Sequence, residues 1–339
     1  MMKYITVNDY LKQRFGCKVY KISINGGFTC PNRDGTLGDR GCIFCSGLGS
    51  GDFAEDAGLS VTEQIERGKK RVSGKMGKHN YRSHETREAM HLAGNIKADA
   101  ASGSGQVTDK MNRNDEGKPS GKYIAYFQAF TNTYAPVSRL RELFTEAINH
   151  PDIVLLSVAT RPDCLPEDVL ELLSGLNEIK PVWVELGLQT IHEESAGYIR
   201  RGYPLSVYDE AVKALNSRGI EVITHVILGL PGESREDMLE TVRYVGESKA
   251  PGKPAGIKLQ LLHVIEGTDL ARDYAAGRFT CMSMGEYVDL VHDCIELLPE
   301  DMVIHRMTGD GDKRTLIAPL WSGDKKRVLN ALNHRLLYG

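Results

Sequence analysis

Residues 26–51 read GGFTCPNRDGTLGDRGCIFCSGLGSG, and this stretch holds three of the seven cysteines of the chain, Cys30, Cys42 and Cys45. It follows an alternating apolar run, VYKISI, at residues 19–24. Together the two segments predict a β-strand that leads into a glycine-rich loop carrying three thiols.

Three thiolates can bind three irons of a cubane iron–sulfur cluster and leave the fourth iron open, whereas a closed cluster or a structural zinc site needs a fourth protein ligand. For zinc, Cys17 or His79 would have to supply that ligand from far along the chain. A dithiol redox pair at Cys42 and Cys45 is a third alternative, but such pairs begin a helix, and here more glycines follow. The pattern favours the open cluster, with Cys17 as an ordinary buried thiol.

The chain has 339 residues, 41% of them hydrophobic, and single-domain α/β barrels reach this size. A net charge of −3 gives no general signature of nucleic-acid binding, so an RNA contact would need a local basic face. No apolar run approaches the length of a membrane span, and the first residues lack a signal-peptide pattern. We therefore expect a soluble, cytoplasmic protein with no membrane partner, in which thiols stay reduced.

The chain divides into four segments. A capping box at Ser60 and Glu63 predicts a helix through about Arg71. Over residues 72–121 glycine, serine, lysine, asparagine and aspartate dominate without a period of 2 or 3.6, which predicts a disordered insertion. The predicted segments are a leader with first strand, cysteine loop and first helix (1–71), the insertion (72–121), the remainder of an α/β domain (122–299) and a C-terminal extension (300–339).

Strands and helices alternate regularly after the insertion. Apolar runs predict strands at residues 123–128, 153–159, 182–188, 221–228 and 256–263. With the strand before the cysteine loop this makes six, and their almost continuous apolar character indicates a parallel sheet covered by helices. The predicted fold is α/β, a partial or full (β/α) barrel with a C-terminal extension. Functional residues are then expected at the carboxyl ends of the strands.

Polar residues do collect in and after the predicted strands. Those singled out are Gln128, Thr160, Arg161, Gln189, Lys258 and Gln260. Glu185 is a carboxylate inside an apolar strand, so it needs a partner, and two remain open: a cofactor ammonium or ribose, or a lysine or arginine inside the barrel. For His305 and Arg306 a surface-paired role is favoured over substrate contact.

These motifs resemble a known family. A three-cysteine loop after the first strand of an alternating barrel is similar to the radical S-adenosylmethionine (SAM) superfamily. More narrowly, the segments that resemble its YhcC/YtqA-like family are CPNRDGTLGDRGCIFCSGLGSG, YFQAFTNTYAP, ATRPDCL, VELGLQT and HVILGLPGE. The phrases TRPD, VELGLQ and IEGTDL are also similar to the radical SAM domain of the elongator catalytic subunit, which acts on tRNA wobble uridine.

The resemblance implies a 4Fe–4S cluster on Cys30, Cys42 and Cys45, with SAM at the fourth iron, and an electron donor such as a flavodoxin or ferredoxin. By analogy with the superfamily, the candidate SAM-binding residues are Gln128, Thr160, Arg161, Glu185, Gln189 and Lys258. Similarity to the elongator subunit implies a modified uridine side chain in tRNA as the substrate. The alternative function is a non-enzymatic RNA-binding module that carries zinc or a cluster.

Overall fold

The computed structural model describes residues 4–47, 49, 54–73, 121–247, 256–309 and 311–338. The predicted insertion at residues 72–121 lies outside this part of the chain except at its two ends, and His79 lies outside it as well. The fold is described below for these residues.

A single parallel sheet dominates the structure. The strands in the described residues are β1 (Ile5–Thr6), β2 (Val19–Ile24), β3 (Lys122–Phe127), β4 (Ile153–Thr160), β5 (Val182–Gln189), β6 (Glu221–Leu228), β7 (Gly256–Leu261), β8 (Val264–Ile265), β9 (Val303–Arg306) and β10 (Leu316–Ala318). Eight of them pair in parallel in the order β1-β9-β7-β6-β5-β4-β3-β2, while β8 and β10 form a separate antiparallel pair. Within the described residues the edge strands β1 and β2 do not pair with each other. The predicted α/β barrel is thus confirmed in its partial, open form.

Helices connect the strands and cover the sheet. They are α1 (Val7–Phe15), α2 (residues 61–73), α3 (Val137–Asn149), α4 (Glu167–Ile179), α5 (Glu193–Tyr198), α6 (Leu205–Ser217), α7 (Arg235–Glu247), α8 (Asp269–Ala275), α9 (Met284–Leu297) and α10 (Lys325–Tyr338). The main core lies between helices and sheet, where Leu140 and Phe144 of α3 and Val291 of α9 are fully buried. None of the described helices is both long and apolar enough to cross a membrane.

Local signals in the sequence set where several helices begin. The predicted capping box is present at α2, where Glu63 N donates to Ser60 Oγ at 3.2 Å and Ser60 N donates to the Glu63 carboxylate at 2.9 Å. A second capping box, between Ser283 and Glu286, begins α9. Each satisfies two backbone donors that a helix start leaves open.

Helix α1 lies against the amino-terminal end of the sheet. Its Leu11 is buried with Trp183, and Tyr10 OH donates to Glu221 Oε2 at 2.9 Å. Trp183 Nε1 donates to the same oxygen at 2.9 Å. The leader therefore packs under the strands, against β5 and β6, and the functional space lies toward their carboxyl ends.

Three sequence-based expectations differ from the structure. The predicted strand 256–263 ends at Leu261: Leu262 N makes the last ladder bond to β6, to Leu228 O at 2.9 Å, and the chain then resumes as β8. The C-terminal extension contributes a strand of the main sheet, β9, which lies between β7 and β1. Cys17 is exposed and not buried, because it follows Gly16, whose left-handed backbone ends α1 at the surface.

Candidate active site

Asn32 organises one side of the cysteine loop. Its Nδ2 donates to Arg200 O at 2.7 Å and lies 3.4 Å from Cys42 Sγ, and its side chain is almost fully buried. Arg200 has a left-handed backbone with φ of 58°, a conformation that costs free energy in a residue other than glycine. The Cys42 thiol also contacts Arg200 O, at 3.6 Å. A side chain that hydrogen-bonds to a metal ligand tunes the position and the basicity of that ligand. Asn32 is placed to do so for Cys42.

Arg33 braces the other side of the loop. Its guanidinium donates to Cys45 O at 3.0 Å and to Ser46 O at 2.6 Å. The same group lies over the ring of Phe130, 5.5 Å from its centroid, at the carboxyl end of β3. Phe130 also has a positive φ, 59°. Strained residues of this kind persist where the surrounding contacts fix them, and they concentrate at functional sites.

The three thiols of the loop open onto one cavity of about 150 Å³. Cys30, Cys42 and Cys45 are each partly buried and none forms a disulfide. Burial and the neighbouring Cys45 raise the pKa of the Cys42 thiol to about 11. A thiol with such a pKa is protonated at neutral pH, so a metal would have to displace its proton.

The spacing of the thiols distinguishes a single ion from a cluster. A tetrahedral zinc with bonds of about 2.3 Å holds two sulfurs about 3.8 Å apart, whereas a cubane binds each thiolate through a different iron and spreads them further. In the described part of the chain, no cysteine belongs to a group of three ligand atoms that all lie within 4.8 Å of one another. The sulfurs of Cys30, Cys42 and Cys45 therefore do not all lie within that distance. The thiols therefore fit a cubane with three protein ligands better than a closed zinc site.

Gln189 closes β5 beside this cavity. Its backbone φ is 70°, and its buried Oε1 has no hydrogen-bond partner among the described residues. An unpaired buried acceptor is costly, by about 1–3 kcal/mol. Because the side chain lines the cavity that holds the thiols, a ligand with a hydrogen-bond donor would satisfy it. This acceptor is the second observation, besides the thiols, that fits a bound polar cofactor.

Thr160 and Arg161 also line the cysteine cavity, but their polar groups already have protein partners. The hydroxyls of Thr160 and Thr133 are 2.6 Å apart. Arg161 donates through two nitrogens to the Asp163 carboxylate, at 2.9 and 2.7 Å, and lies over the ring of Tyr203 at 4.9 Å. Both residues therefore shape the wall of the cavity in a fixed geometry.

Glu185 lies inside the barrel at the centre of a charged network. Its fully buried carboxylate accepts from Lys21 Nζ at 2.9 Å and from Ser157 Oγ at 2.8 Å through one oxygen. The other oxygen accepts from Lys258 Nζ and from His225 Nε2, the latter at 2.9 Å. Of the two alternatives for Glu185, the structure shows the lysine inside the barrel, and both carboxylate oxygens have protein donors.

The network sets the protonation of its members. Burial alone would raise the pKa of Glu185, but Lys21, Lys258 and His225 hold it well below its ordinary value. Burial also lowers the pKa of Lys258 to about 7, against the attraction of Glu185. Burial and Lys258 lower the pKa of His225 to about 4, so at neutral pH its ring is neutral and donates through Nε2.

A larger cavity of about 240 Å³ adjoins the first. Both cavities share lining residues of the strand ends and the loop, namely Phe44, Cys45, Gly49, Tyr126, Gln128, Gln189 and His225. The larger one extends to Lys258, Gln260 and Arg306, away from Cys30 and Cys42. One space near the thiols thus continues into a second space, whose lining adds Lys258 and Arg306.

Comparison with known proteins identifies the superfamily. Over 334 residues the chain is 42% identical to the uncharacterized protein YtqA of Bacillus subtilis (strain 168), covering 98% of this chain and 89% of YtqA. A sequence model of the Radical SAM superfamily matches residues 106–245, and one of the Radical_SAM C-terminal domain matches residues 254–337. The chain belongs to the radical SAM superfamily. This confirms the predicted superfamily, and YtqA is one of the two proteins for which the predicted family is named.

Two partial likenesses add to this result. The radical SAM chain is 32% identical over 155 residues to a tRNA uridine(34) acetyltransferase of Dehalococcoides mccartyi (strain CBDB1), covering 46% of this chain and 33% of that one. Its fold is similar to archaeal Methanocaldococcus infernus Elp3 with a TM-score of 0.53 and 20% identity, covering 65% of this chain and 55% of that one. The protein is therefore a radical SAM enzyme with the fold of that superfamily, and membership implies a 4Fe–4S cluster, SAM and a reductant.

The structure brings the predicted residues of this radical SAM enzyme to one place, and adds residues that the sequence analysis missed. All three cysteines and all six predicted SAM-binding residues line the two joined cavities. Tyr126, Lys21 and His225 were missed, although each is a polar residue inside an apolar strand, the signal that singled out Glu185. The surface-paired role favoured for His305 is wrong: its ring packs against Trp183, with a buried Nδ1.

Proposed function

We propose that Cys30, Cys42 and Cys45 each bind one iron of a 4Fe–4S cluster and that SAM occupies the fourth iron. The observation that carries this proposal is that three thiols, too far apart for one ion, open onto a cavity beside an unpaired amide oxygen of Gln189. When bound, the cluster and SAM supply a 5′-deoxyadenosyl radical that removes a hydrogen atom from the substrate.

In this scheme the residues of the chain bind and orient SAM and shield the reaction from water. The amides of Gln128 and Gln189 face the shared part of the cavities and are proposed to bind SAM through hydrogen bonds. Thr160 and Arg161, fixed by their own partners, form the wall on the side of Cys30. A primary carbon radical reacts with most neighbours, so rigid walls that exclude water protect the intended reaction.

Glu185 and Lys258 act at the boundary between the cavities. Glu185 is proposed to keep the barrel interior neutral and to fix Lys258, which reaches the larger cavity. Lys258 Nζ also donates to Tyr126 OH at 3.1 Å. Beyond these two hydrogen bonds Nζ has one further position for a ligand in that cavity, an N–H when Lys258 is protonated and a lone pair when it is neutral. Lys258 thus contacts the substrate end of the bound SAM or the substrate itself.

The proposed substrate is a modified uridine side chain in tRNA, at the wobble position. Its support is the likeness to the tRNA uridine(34) acetyltransferase over 155 residues, and the lining of the larger cavity includes Lys258 and Arg306, which could contact a phosphate. A base must leave its stack to reach such a cavity, as in other enzymes that act on a single base. A flavodoxin or ferredoxin in the reducing cytoplasm is the proposed electron donor.

Anaerobic reconstitution tests the cofactor assignment. Iron and sulfide should each approach four per chain, and reduced protein should convert SAM to 5′-deoxyadenosine. Cys30→Ala, Cys42→Ala and Cys45→Ala should each abolish that conversion, whereas Cys164→Ala, Cys281→Ala and Cys294→Ala should retain it. Retained 5′-deoxyadenosine formation in any of the first three variants would refute the ligand assignment.

Comparison of tRNA nucleosides tests the substrate. Cells lacking the gene should accumulate a wobble uridine with an unprocessed side chain, and a plasmid copy should restore the processed form. The matched control is a copy with Cys42→Ala, which should not restore it. Identical nucleosides in both strains would show that tRNA is not the substrate. That result would not bear on the proposed binding of the cluster and SAM.

A further inference from the structure

Four arginines meet two aspartates beside the cysteine loop. This arginine cluster consists of Arg40, Arg200, Arg272 and Arg278 around Asp269 and Asp273. Asp269 alone contacts three of the guanidiniums: Arg272, Arg200 at 2.5 Å and Arg40 at 3.5 Å. Arg278 pairs with Asp273 at 2.7 Å. Four guanidinium groups therefore surround two carboxylates, and these six side chains carry an excess of positive charge that the exposed Asp39, next to Arg40, reduces.

This excess charge lies at the surface. The side chains of Arg40, Arg272 and Arg278 are 63%, 70% and 68% exposed, while both aspartates are only 17% exposed. Exposed pairs of this kind contribute little to folding stability, about 0–1 kcal/mol. The arrangement therefore presents guanidinium groups outward and keeps the carboxylates beneath them, which suits an acidic partner.

The arginine cluster is joined directly to the loop that carries the thiols. Arg200 Nη1 donates to Gly41 O at 3.4 Å, and Leu270 N, in α8, donates to Ile43 O at 2.9 Å. The carbonyl of Arg200 contacts the Cys42 thiol and accepts from Asn32. Arg200 thus has its guanidinium in the arginine cluster and its backbone carbonyl in contact with the Cys42 thiol. A single residue therefore connects the arginine cluster to the thiols.

We propose that the arginine cluster is the docking surface for a small acidic one-electron carrier, a flavin or iron–sulfur protein. This inference rests on the proposed function, because it needs a cluster at Cys30, Cys42 and Cys45. In the docked complex one electron leaves the carrier, which is oxidised by one unit, and enters the cluster, which is reduced by one unit. No atom is transferred.

The position of the surface favours a carrier over RNA. Electron transfer requires proximity to the thiols, which the arginine cluster has. A nucleotide needs only to reach the mouth of the larger cavity, whose lining includes Gly309, Gly311, Asp312 and Thr315 on a separate loop.

The test compares two reductants and measures binding separately. The variant is the double substitution Arg272→Glu with Arg278→Glu, and Arg272→Lys with Arg278→Lys keeps the charge. Arg243→Glu is the matched control, since its guanidinium pairs with Glu236 on α7, away from the cysteine loop. SAM cleavage is driven by reduced flavodoxin or by dithionite, and the affinity for oxidised flavodoxin is measured by calorimetry at low and high salt.

The Glu variant should lose flavodoxin affinity and flavodoxin-driven cleavage by about tenfold or more at low salt, while dithionite-driven cleavage stays within about twofold of wild type. The Lys variant and Arg243→Glu should behave as wild type, and added salt should weaken wild-type binding. Unchanged flavodoxin affinity in the Glu variant would overturn the proposal. Loss of tRNA binding with unchanged flavodoxin-driven cleavage would also overturn it and would assign the surface to RNA. Absence of dithionite-driven cleavage in wild type would instead refute the proposed function.

Discussion

At the residue scale, the buried charges decide how the site behaves. Glu185 is fully buried and depends on Lys21, Lys258, Ser157 and His225 for the donors that water would otherwise provide. A buried ion pair costs free energy to desolvate, and removing one partner leaves the other unpaired. The network is consequently a place where single substitutions have large effects, both on stability and on the cavity that Lys258 lines.

Glu185→Gln should destabilise the protein by about 3–5 kcal/mol, because it leaves two lysines near each other without their carboxylate. Urea unfolding of the variant and wild type measures the difference. The control is Glu142→Gln, an exposed carboxylate paired with Arg139, which should change the free energy of unfolding by at most about 1 kcal/mol. Equal effects of the two substitutions would contradict the burial and pairing of Glu185.

The low pKa of Lys258 predicts a pH dependence of stability. Its pKa is about 7 in the folded protein and 10.5 ordinarily, so between these values the unfolded chain binds more protons at this group. The free energy of unfolding should therefore gain a contribution that rises with pH across this range. Denaturation measured across the range should show that rise in wild type and in the exposed-lysine control Lys213→Met, and lose it in Lys258→Met. An unaltered pH profile in Lys258→Met would contradict the assignment.

At the scale of elements, local sequence predicts where helices start but not how closely they approach the sheet. The capping box at Ser60 was predicted and is present, and a second one begins α9 at Ser283; such a signal is local because it depends on residues three positions apart. Gly68 of α2 gave no such signal. A Cβ at this position would lie 2.3 Å from Ile22 Cγ2, so the helix packs against β2 at a distance that only glycine permits.

Gly68→Ala should therefore destabilise the fold by about 1–3 kcal/mol through overpacking. Gly175 provides a matched helical control, since it is exposed on α4 and a Cβ there would meet nothing within 4 Å. Gly175→Ala should stabilise by about 0.5–1 kcal/mol. Thermal or urea unfolding distinguishes the two, and a stabilising Gly68→Ala would show that α2 does not pack this closely.

The cysteine loop is the element on which cofactor binding depends. Asn32→Ala should lower the iron retained after anaerobic reconstitution and desalting by about tenfold or more, because it removes the donor that holds Cys42 Sγ and Arg200 O. Asn177→Ala, which removes a hydrogen bond to Val182 N far from the loop, should retain wild-type iron. Equal iron in both variants would contradict the positioning role of Asn32.

At the scale of the whole molecule, the order of elements could be predicted and the long-range partners could not. Continuous apolar strands alternating with helices indicate a parallel sheet, and the partial barrel follows from that pattern. The partners of Glu185 come from β2, β4, β6 and β7, and only the register of the folded sheet brings them together, as where His225 lies opposite Lys258. β9 was missed as a sheet strand because a four-residue run carries little periodicity.

In the proposed mechanism, three thiolates hold a cluster whose fourth iron is left for SAM. Electron paramagnetic resonance of the reconstituted, reduced protein, recorded with and without SAM, tests it most directly. We expect a reduced 4Fe–4S signal that changes shape when SAM is added, because SAM binds the open iron. A signal that SAM leaves unaltered, or one zinc per chain in place of the cluster, would contradict it.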